Sequence, residues 1–195
     1  FRFTPFNYKK WGDAERDNGY AIDTEKFYEN VMNRYKYGGL DTPGLYLDET
    51  TMRICYSHRR LFAQLAKELV KQGDNARAQK VLAYAEQAIP AYNVPQVYES
   101  GSYDIATAYA SIGETGKAIT LLNDLISESR DYIDWAFSLG DSRIEMVQRD
   151  CLYKFWQWNQ CNELLKDMDK ERYKQSNQQF EEKYMRLAQL MNYQN

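Results

Sequence analysis

Residues 61–90 read LFAQLAKELVKQGDNARAQKVLAYAEQAIP, and the spacing of bulky and small residues in this stretch decides the fold class. Phe62, Leu65, Ala66 and Leu69 recur at three- and four-residue steps, which places them on one face of a helix. Gly73 ends that helix, because glycine takes the left-handed conformation that other residues resist. Ala78, Leu82, Ala85 and Ile89 repeat the same period in a second helix, until Pro90 forbids its continuation. The pattern predicts two amphipathic helices folded back to back around a Gly-Asp turn. Small Ala66, Ala78 and Ala85 let the backbones approach, while Phe62, Leu65 and Leu82 fill the space that remains.

The stretch resembles a tetratricopeptide repeat, the helix–turn–helix unit of about 34 residues. Phe62 stands at the first aromatic position and Leu65-Ala66 at the Leu-Gly pair. Leu69 stands where Tyr is usual, Ala78, Leu82 and Ala85 at the second-helix positions, and Pro90 at the closing proline. Such a hairpin cannot bury its apolar face alone, so the resemblance implies stacked neighbours. A second unit falls in the same register, with Ile105-Ala106, Tyr109, Gly113-Glu114, Ala118, Leu122 and Leu125. Gly73 and Gly113 are 40 positions apart, so the connector from Ala91 to Glu99, which holds Pro95, carries about six extra residues. Arg130 replaces the closing proline, and the helix is free to run through Ile133, Trp135 and Phe137 to Gly140. The expected class is all-α, a tetratricopeptide-like superhelix of stacked hairpins (about 58–90 and 98–130) with capping helices over 142–193.

Phe1 to Ala21 has no helical period and reads as an extended arm or linker, with the helical-repeat domain over 22–195. Phe1 opens the chain without an initiator Met or a basic leader, so the chain reads as a piece of a longer protein. Asp23 or Thr24 caps a first helix striped by Phe27, Val31 and Tyr35, and Gly38-Gly39 closes it. Asp41 to Leu47 is a loop. Asp48 caps a long helix that runs to about Gln72. Ser142 and Glu145 form a capping-box pattern ahead of a stripe of Ile144, Val147, Cys151, Phe155 and Trp158. Asn159-Gln160 is the expected turn before a last helix marked by Phe180, Tyr184, Leu187 and Met191.

The 195 residues suit one domain of moderate size. They carry 25 basic and 28 acidic side chains, a net charge of -3, which recommends no nucleic-acid partner. No apolar run reaches the roughly 20 residues of a membrane span, and mean hydropathy is -0.75. With 17 Tyr, 8 Phe and 4 Trp, the chain has aromatics for a thin core or for a carbohydrate-stacking surface. Cys55, Cys151 and Cys161 lack metal-ligand spacing. They read as small hydrophobes, with a Cys151–Cys161 bridge open to them in an oxidising compartment. Lone His58 excludes a paired-His metal site and reads as solvated or hydrogen-bonded.

Several segments outside the repeats carry a wider resemblance: RFTPFN, MNRYKYGGLDTPGLYLDETTMRICY, HRRLFAQLA and IPAYNVPQVY. Together they resemble the C-terminal tail of a Bacteroidetes family of polytopic membrane proteins. That family is similar to protein O-mannosyltransferases of the multi-spanning glycosyltransferase superfamily. The resemblance implies a soluble tail with tetratricopeptide repeats on the extracytoplasmic (periplasmic) side. The chemistry it implies resides in the membrane part, so no catalytic residue transfers to this chain.

The chain itself has no phosphate-cradling Gly-rich loop, no Gly-x-Ser-x-Gly and no His-Glu-x-x-His. Adjacent acids such as Asp48-Glu49 and Glu181-Glu182 diverge by about 100 degrees on a helix and cannot face one substrate. No cofactor or metal is expected. The repeat register implies a groove lined by Arg60, Ala63, Lys67, Val70 and Lys71 from the first unit, and by Tyr103, Thr107 and Ala110 from the second. A basic ridge facing an aromatic suits an acidic or extended peptide, or a glycan stacked on Tyr103. The expected function is a non-catalytic interaction domain that binds a protein, a glycan or the membrane domain of its own parent. A free-standing adaptor binding a peptide is the alternative, and an unrecognised hydrolase a third reading.

Overall fold

A computed structural model describes residues 22–141 and 143–192, and every regular element among them is helical. The expected arm over 1–21 lies outside the described residues. The chain divides into two compact units, one ending at Tyr35 and one beginning at Lys36. In the first, Asp23 accepts the amide of Lys26 and caps α1 (Thr24–Glu29), which loosens into a π-turn over Asn30–Arg34. The amide of Tyr35 closes that turn on the carbonyl of Asn30.

The second unit is a succession of antiparallel helical pairs. Asp48 accepts the amide and the hydroxyl of Thr51, which starts α2 (Glu49–Lys71) where the sequence places it. The other helices are α3 (Asn75–Ala88), α4 (Ser102–Ser111), α5 (Thr115–Ser138), α6 (Gln148–Met168) and α7 (Lys170–Asn192). Each packs against the next, and α2 also packs against α4. The two central turns are built alike. Gly73 and Gly113 are left-handed, at φ 77 and 84. In each turn the glycine amide returns to the carbonyl three residues back, and the next amide to the one five back. This doubly bonded turn satisfies carbonyls that the end of a helix would otherwise leave open.

Packing follows the alternation of bulk and alanine. Phe62, Leu65, Ala66, Leu69, Ala78 and Leu82 are fully buried, and each large one contributes about 2 kcal/mol. A second cluster joins Ala106, Leu122, Leu125 and Ile133 to Phe155, Trp158, Leu165 and Leu187. Between the first two helical pairs, Gln79 donates to Glu114 at 2.7 Å, and Tyr109 and Lys117 both donate to Glu86.

Three expectations change. Asn159-Gln160 is not a turn, because α6 continues to Met168, held on its buried side by Trp158, Cys161, Asn162 and Leu165. The reversal falls at Asp169, a single extended residue whose carboxylate caps α7 through the amide of Arg172. Glu145 lies in a 3-10 turn over Ile144–Val147, and α6 begins only at Gln148. Ser142, the other half of the expected capping box, lies outside the described residues. Cys151 and Cys161 are free thiols. They share one helix, and ten residues at 1.5 Å rise set them about 15 Å apart along its axis, beyond any disulfide.

The connector between the first two pairs is organised by Arg59, which is buried on α2. Its Nη1 donates to the carbonyl of Pro95 at 2.7 Å and to Ser100 Oγ at 2.9 Å. Its Nη2 donates to the carbonyls of Ile89 at 3.2 Å and Val94 at 2.6 Å. All four acceptors are uncharged, and burial lowers the guanidinium pKa to about 10, so it stays charged at neutral pH. Downstream, Asn93 donates to the carbonyls of Leu40 and Thr42, which ties the 41–47 loop to the same connector. Gly101, at φ 83, then lies flat on α2. A β-carbon there would meet Arg60 Cγ at 2.7 Å and Arg60 Cα at 3.2 Å.

Arg59→Met keeps the volume but takes the guanidinium donors from three carbonyls and from Ser100 Oγ. It is expected to lower unfolding free energy by about 3 kcal/mol in urea titrations, with Arg59→Lys intermediate. Gly101→Ala adds a clash to the left-handed strain, whereas Gly113→Ala meets open space. The first is therefore expected to cost about 2 kcal/mol or more and the second about 1 kcal/mol, read from the same titrations.

Candidate functional site

The groove residues expected from the repeat register lie in different surroundings. Arg60 donates to the carbonyl of Glu99 at 2.7 Å and to Ser57 Oγ at 3.2 Å, so its guanidinium braces the connector. Ala63 is buried and Val70 is half-buried. Lys67 is exposed, and Lys71 reaches Glu68 at 3.2 Å on its own helix. Tyr103 is half-buried, and Thr107 next to it returns its hydroxyl to the carbonyl of Tyr103. Asp104 completes this part of the surface. Burial raises its carboxyl pKa, and the cations of Lys67 and Arg60 oppose that shift.

From Tyr103 the surface continues as a chain of aromatic rings. Tyr98, in the 3-10 turn Tyr98–Ser100 that ends the connector, stacks on Tyr103 with ring centres 5.1 Å apart and planes at 23°. Trp156 of α6 meets Tyr98 edge to face at 5.3 Å. Tyr153, one helical turn earlier, stacks on Trp156 at 5.6 Å with planes at 13°. Edge-to-face and offset contacts suit the aromatic quadrupole and hold such a strip together. Its outer end is open: Trp156 is 46% and Tyr153 47% exposed. Burial raises the phenol pKa of both Tyr98 and Tyr103, so both rings are neutral over the physiological range.

A carboxylate is fixed beside the strip. Glu99 accepts from Gln157 Nε2 at 2.6 Å, and Gln157 is fully buried. Lys154 Nζ lies 3.6 Å from the same Glu99 oxygen and bonds both oxygens of Glu128, at 2.8 and 3.0 Å. Glu99 is itself exposed. Its orientation is set from beneath by an amide and an ammonium, and it is thereby a pre-positioned acceptor next to Tyr98 and Trp156.

No family model, curated protein or solved structure matches this chain.

Other features of the second unit are less convergent. A cleft of about 740 Å³ between α5 and α7 is lined by Asn123, Asp124, Ser127, Arg130, Arg172 and Gln175. Its arginines turn to neighbours: Arg172 pairs with Asp169, and Arg130 donates to Ser127. Among the described residues, no group of three or more His, Cys, Asp or Glu is placed to hold a metal ion. Asp48 and Glu181 are occupied by helix ends and neighbours, through Thr51 and Asn177 respectively. His58 stands edge-on to the ring of Tyr37 at 5.6 Å. Among the described residues, no helix is long and apolar enough to cross a membrane.

Tyr103 and the basic residues of α2 were legible as site candidates, whereas Tyr98, Glu99, Tyr153 and Trp156 were not. The first two lie in the extra length of the connector, to which the repeat register assigns no position. The other two lie on α6, where the stripe of buried residues was readable but the opposite face carried no register.

Asp104 provides a pH test of the electrostatics. Its carboxyl pKa is raised in the folded chain, so the folded state holds the proton more tightly than the unfolded one. The cost of its charge is absent below the unfolded pKa and grows as pH rises through the folded one. Asp104→Asn is therefore expected to be the more stable at pH 7, with the difference shrinking towards about pH 4 in urea titrations.

Proposed function

We propose that this chain is a non-catalytic interaction domain, and that its helical pairs form a tetratricopeptide-like superhelix. In this reading α2, α4 and α6 present one continuous face to a protein or glycan partner. The observation that carries the reading is the strip Tyr103–Tyr98–Trp156–Tyr153, which bridges successive helical pairs and stays half open at its outer end. Large aromatics held rigid on helices offer contact area with little entropy to lose on binding. The doubly bonded glycine turns and the matched alanine positions of the two central pairs support the superhelical part of the reading.

The wider resemblance supports a particular context. In it the chain is the extracytoplasmic tail of a glycosyltransferase-like membrane protein and orients an acceptor, a glycan chain or the parent's own membrane domain. A reading frame upstream of Phe1 that encodes a series of apolar spans of about 20 residues each supports the tail. An initiator Met directly before Phe1 overturns it in favour of a free-standing adaptor.

For the binding face, Trp156→Ala and Lys67→Glu alter exposed side chains, and unfolding free energy is expected to stay within about 1 kcal/mol of the parent. Arrayed peptides and glycans retained by the parent chain are expected to lose about tenfold or more in affinity for Trp156→Ala. Trp135→Ala, at an exposed tryptophan away from the strip, is expected to change nothing. Equal losses in both tryptophan variants, or none in either, overturn the assignment of this face.

A further inference from the structure

The chemistry of the strip narrows its partner, on the premise that this face is the binding face proposed above. Flat apolar surface comes from Trp156 and Tyr153, and its inner continuation from Tyr98 and Tyr103. A fixed acceptor lies beside it, the Glu99 carboxylate, held by Gln157. A ligand therefore has to offer apolar faces for stacking and, at their edges, hydrogen-bond donors.

Charge removes the main competitor. Aromatic rings with a nearby carboxylate suit a cation, provided that the carboxylate has charge to give. Here each carboxylate already faces a cation of the chain: Glu99 lies 3.6 Å from Lys154, and Asp104 feels Lys67 and Arg60. The acids and bases around the strip nearly cancel, so neither a cationic nor an anionic ligand gains from long-range attraction. A proline-rich segment has apolar rings but no N–H at its prolines, so those positions offer Glu99 no donor. Sugar rings meet both demands, because their C–H faces are apolar and their hydroxyl edges donate.

We infer that the strip Tyr103–Tyr98–Trp156–Tyr153 with Glu99 is a binding platform for a neutral oligosaccharide. Trp156 and Tyr153 stack on successive sugar faces, and the Glu99 carboxylate accepts hydroxyls from the ring seated nearest Tyr98. Gln157 and Lys154 are positioning residues that hold Glu99 in place.

The test uses the full chain and neutral hexose oligosaccharides of about three to six units, titrated by tryptophan fluorescence and calorimetry. An acidic oligosaccharide and a proline-rich peptide serve as competitors. Saturable binding of a neutral oligosaccharide is expected, changing less than about twofold between 0.05 and 0.5 M salt. It is expected to weaken about tenfold in Trp156→Ala and several-fold in Tyr153→Ala and Glu99→Gln, and to be unchanged in Trp135→Ala. No saturable binding of any neutral oligosaccharide up to about 10 mM overturns the inference. So does binding that Trp156→Ala leaves intact. Trp156-dependent binding of the proline-rich peptide or the acidic sugar alone overturns the saccharide class while leaving the face in use. Loss of that dependence for every ligand removes the face itself.

Discussion

The guanidinium of Arg59 sits inside the second unit and donates to four uncharged oxygens, with no carboxylate bonded to it among the described residues. A charge in such a place is tolerable because three of its donated bonds satisfy connector carbonyls and the fourth joins the Ser100 hydroxyl network. The dependence runs both ways. Without the connector, the charge would lack partners; without the charge, the turn-rich stretch from Ile89 to Ser100 would lack a reason to hold one path. Tyr98, Glu99 and Gly101 are presented at the end of that path, where Arg60, Gln157 and Lys154 help to hold it.

That dependence gives the connector's extra length a physical meaning. A repeat-length link would carry the chain from α3 to α4 and stop there. The additional residues wrap Arg59, return to the loop near Leu40 through Asn93, and finish by setting an aromatic ring and an acid between α4 and α6. The insertion is thus the part of the surface least like a repeat and the part richest in recognition chemistry. Irregular segments commonly bear function when a rigid scaffold fixes both of their ends.

How much of this could be read from residues alone depends on what each residue signals. Gly73 and Gly113 announce turns because no other residue sits as easily at positive φ, and the alanine-for-bulk spacing around them fixes which faces meet. Asp169 announces nothing of the kind. It reverses the chain in one extended residue, and an acid in a polar stretch looks like ordinary helix surface. Asn159 and Gln160 mislead for the opposite reason. Amides side by side look like a turn, yet they lie in a helix whose buried side takes polar groups, with Trp158 donating to Ser176 and Ser176 to Asn162. The aromatic strip was hidden because its members come from three elements, Tyr98 and Tyr103 lying 50 or more residues before Tyr153 and Trp156 in sequence, and only the folded connector brings them together.

The three cysteines are each buried in a helix and unpaired. Burial raises the thiol pKa of Cys55 and Cys151, and pushes that of Cys161 up to about 12. Thiolate, the form that attacks disulfides and oxidants, is correspondingly scarce. The described helical pairs thus pack without a disulfide. A thiol-reactive dye would meet these sulfurs only when a helix swings open, so its uptake keeps time with the breathing of the core.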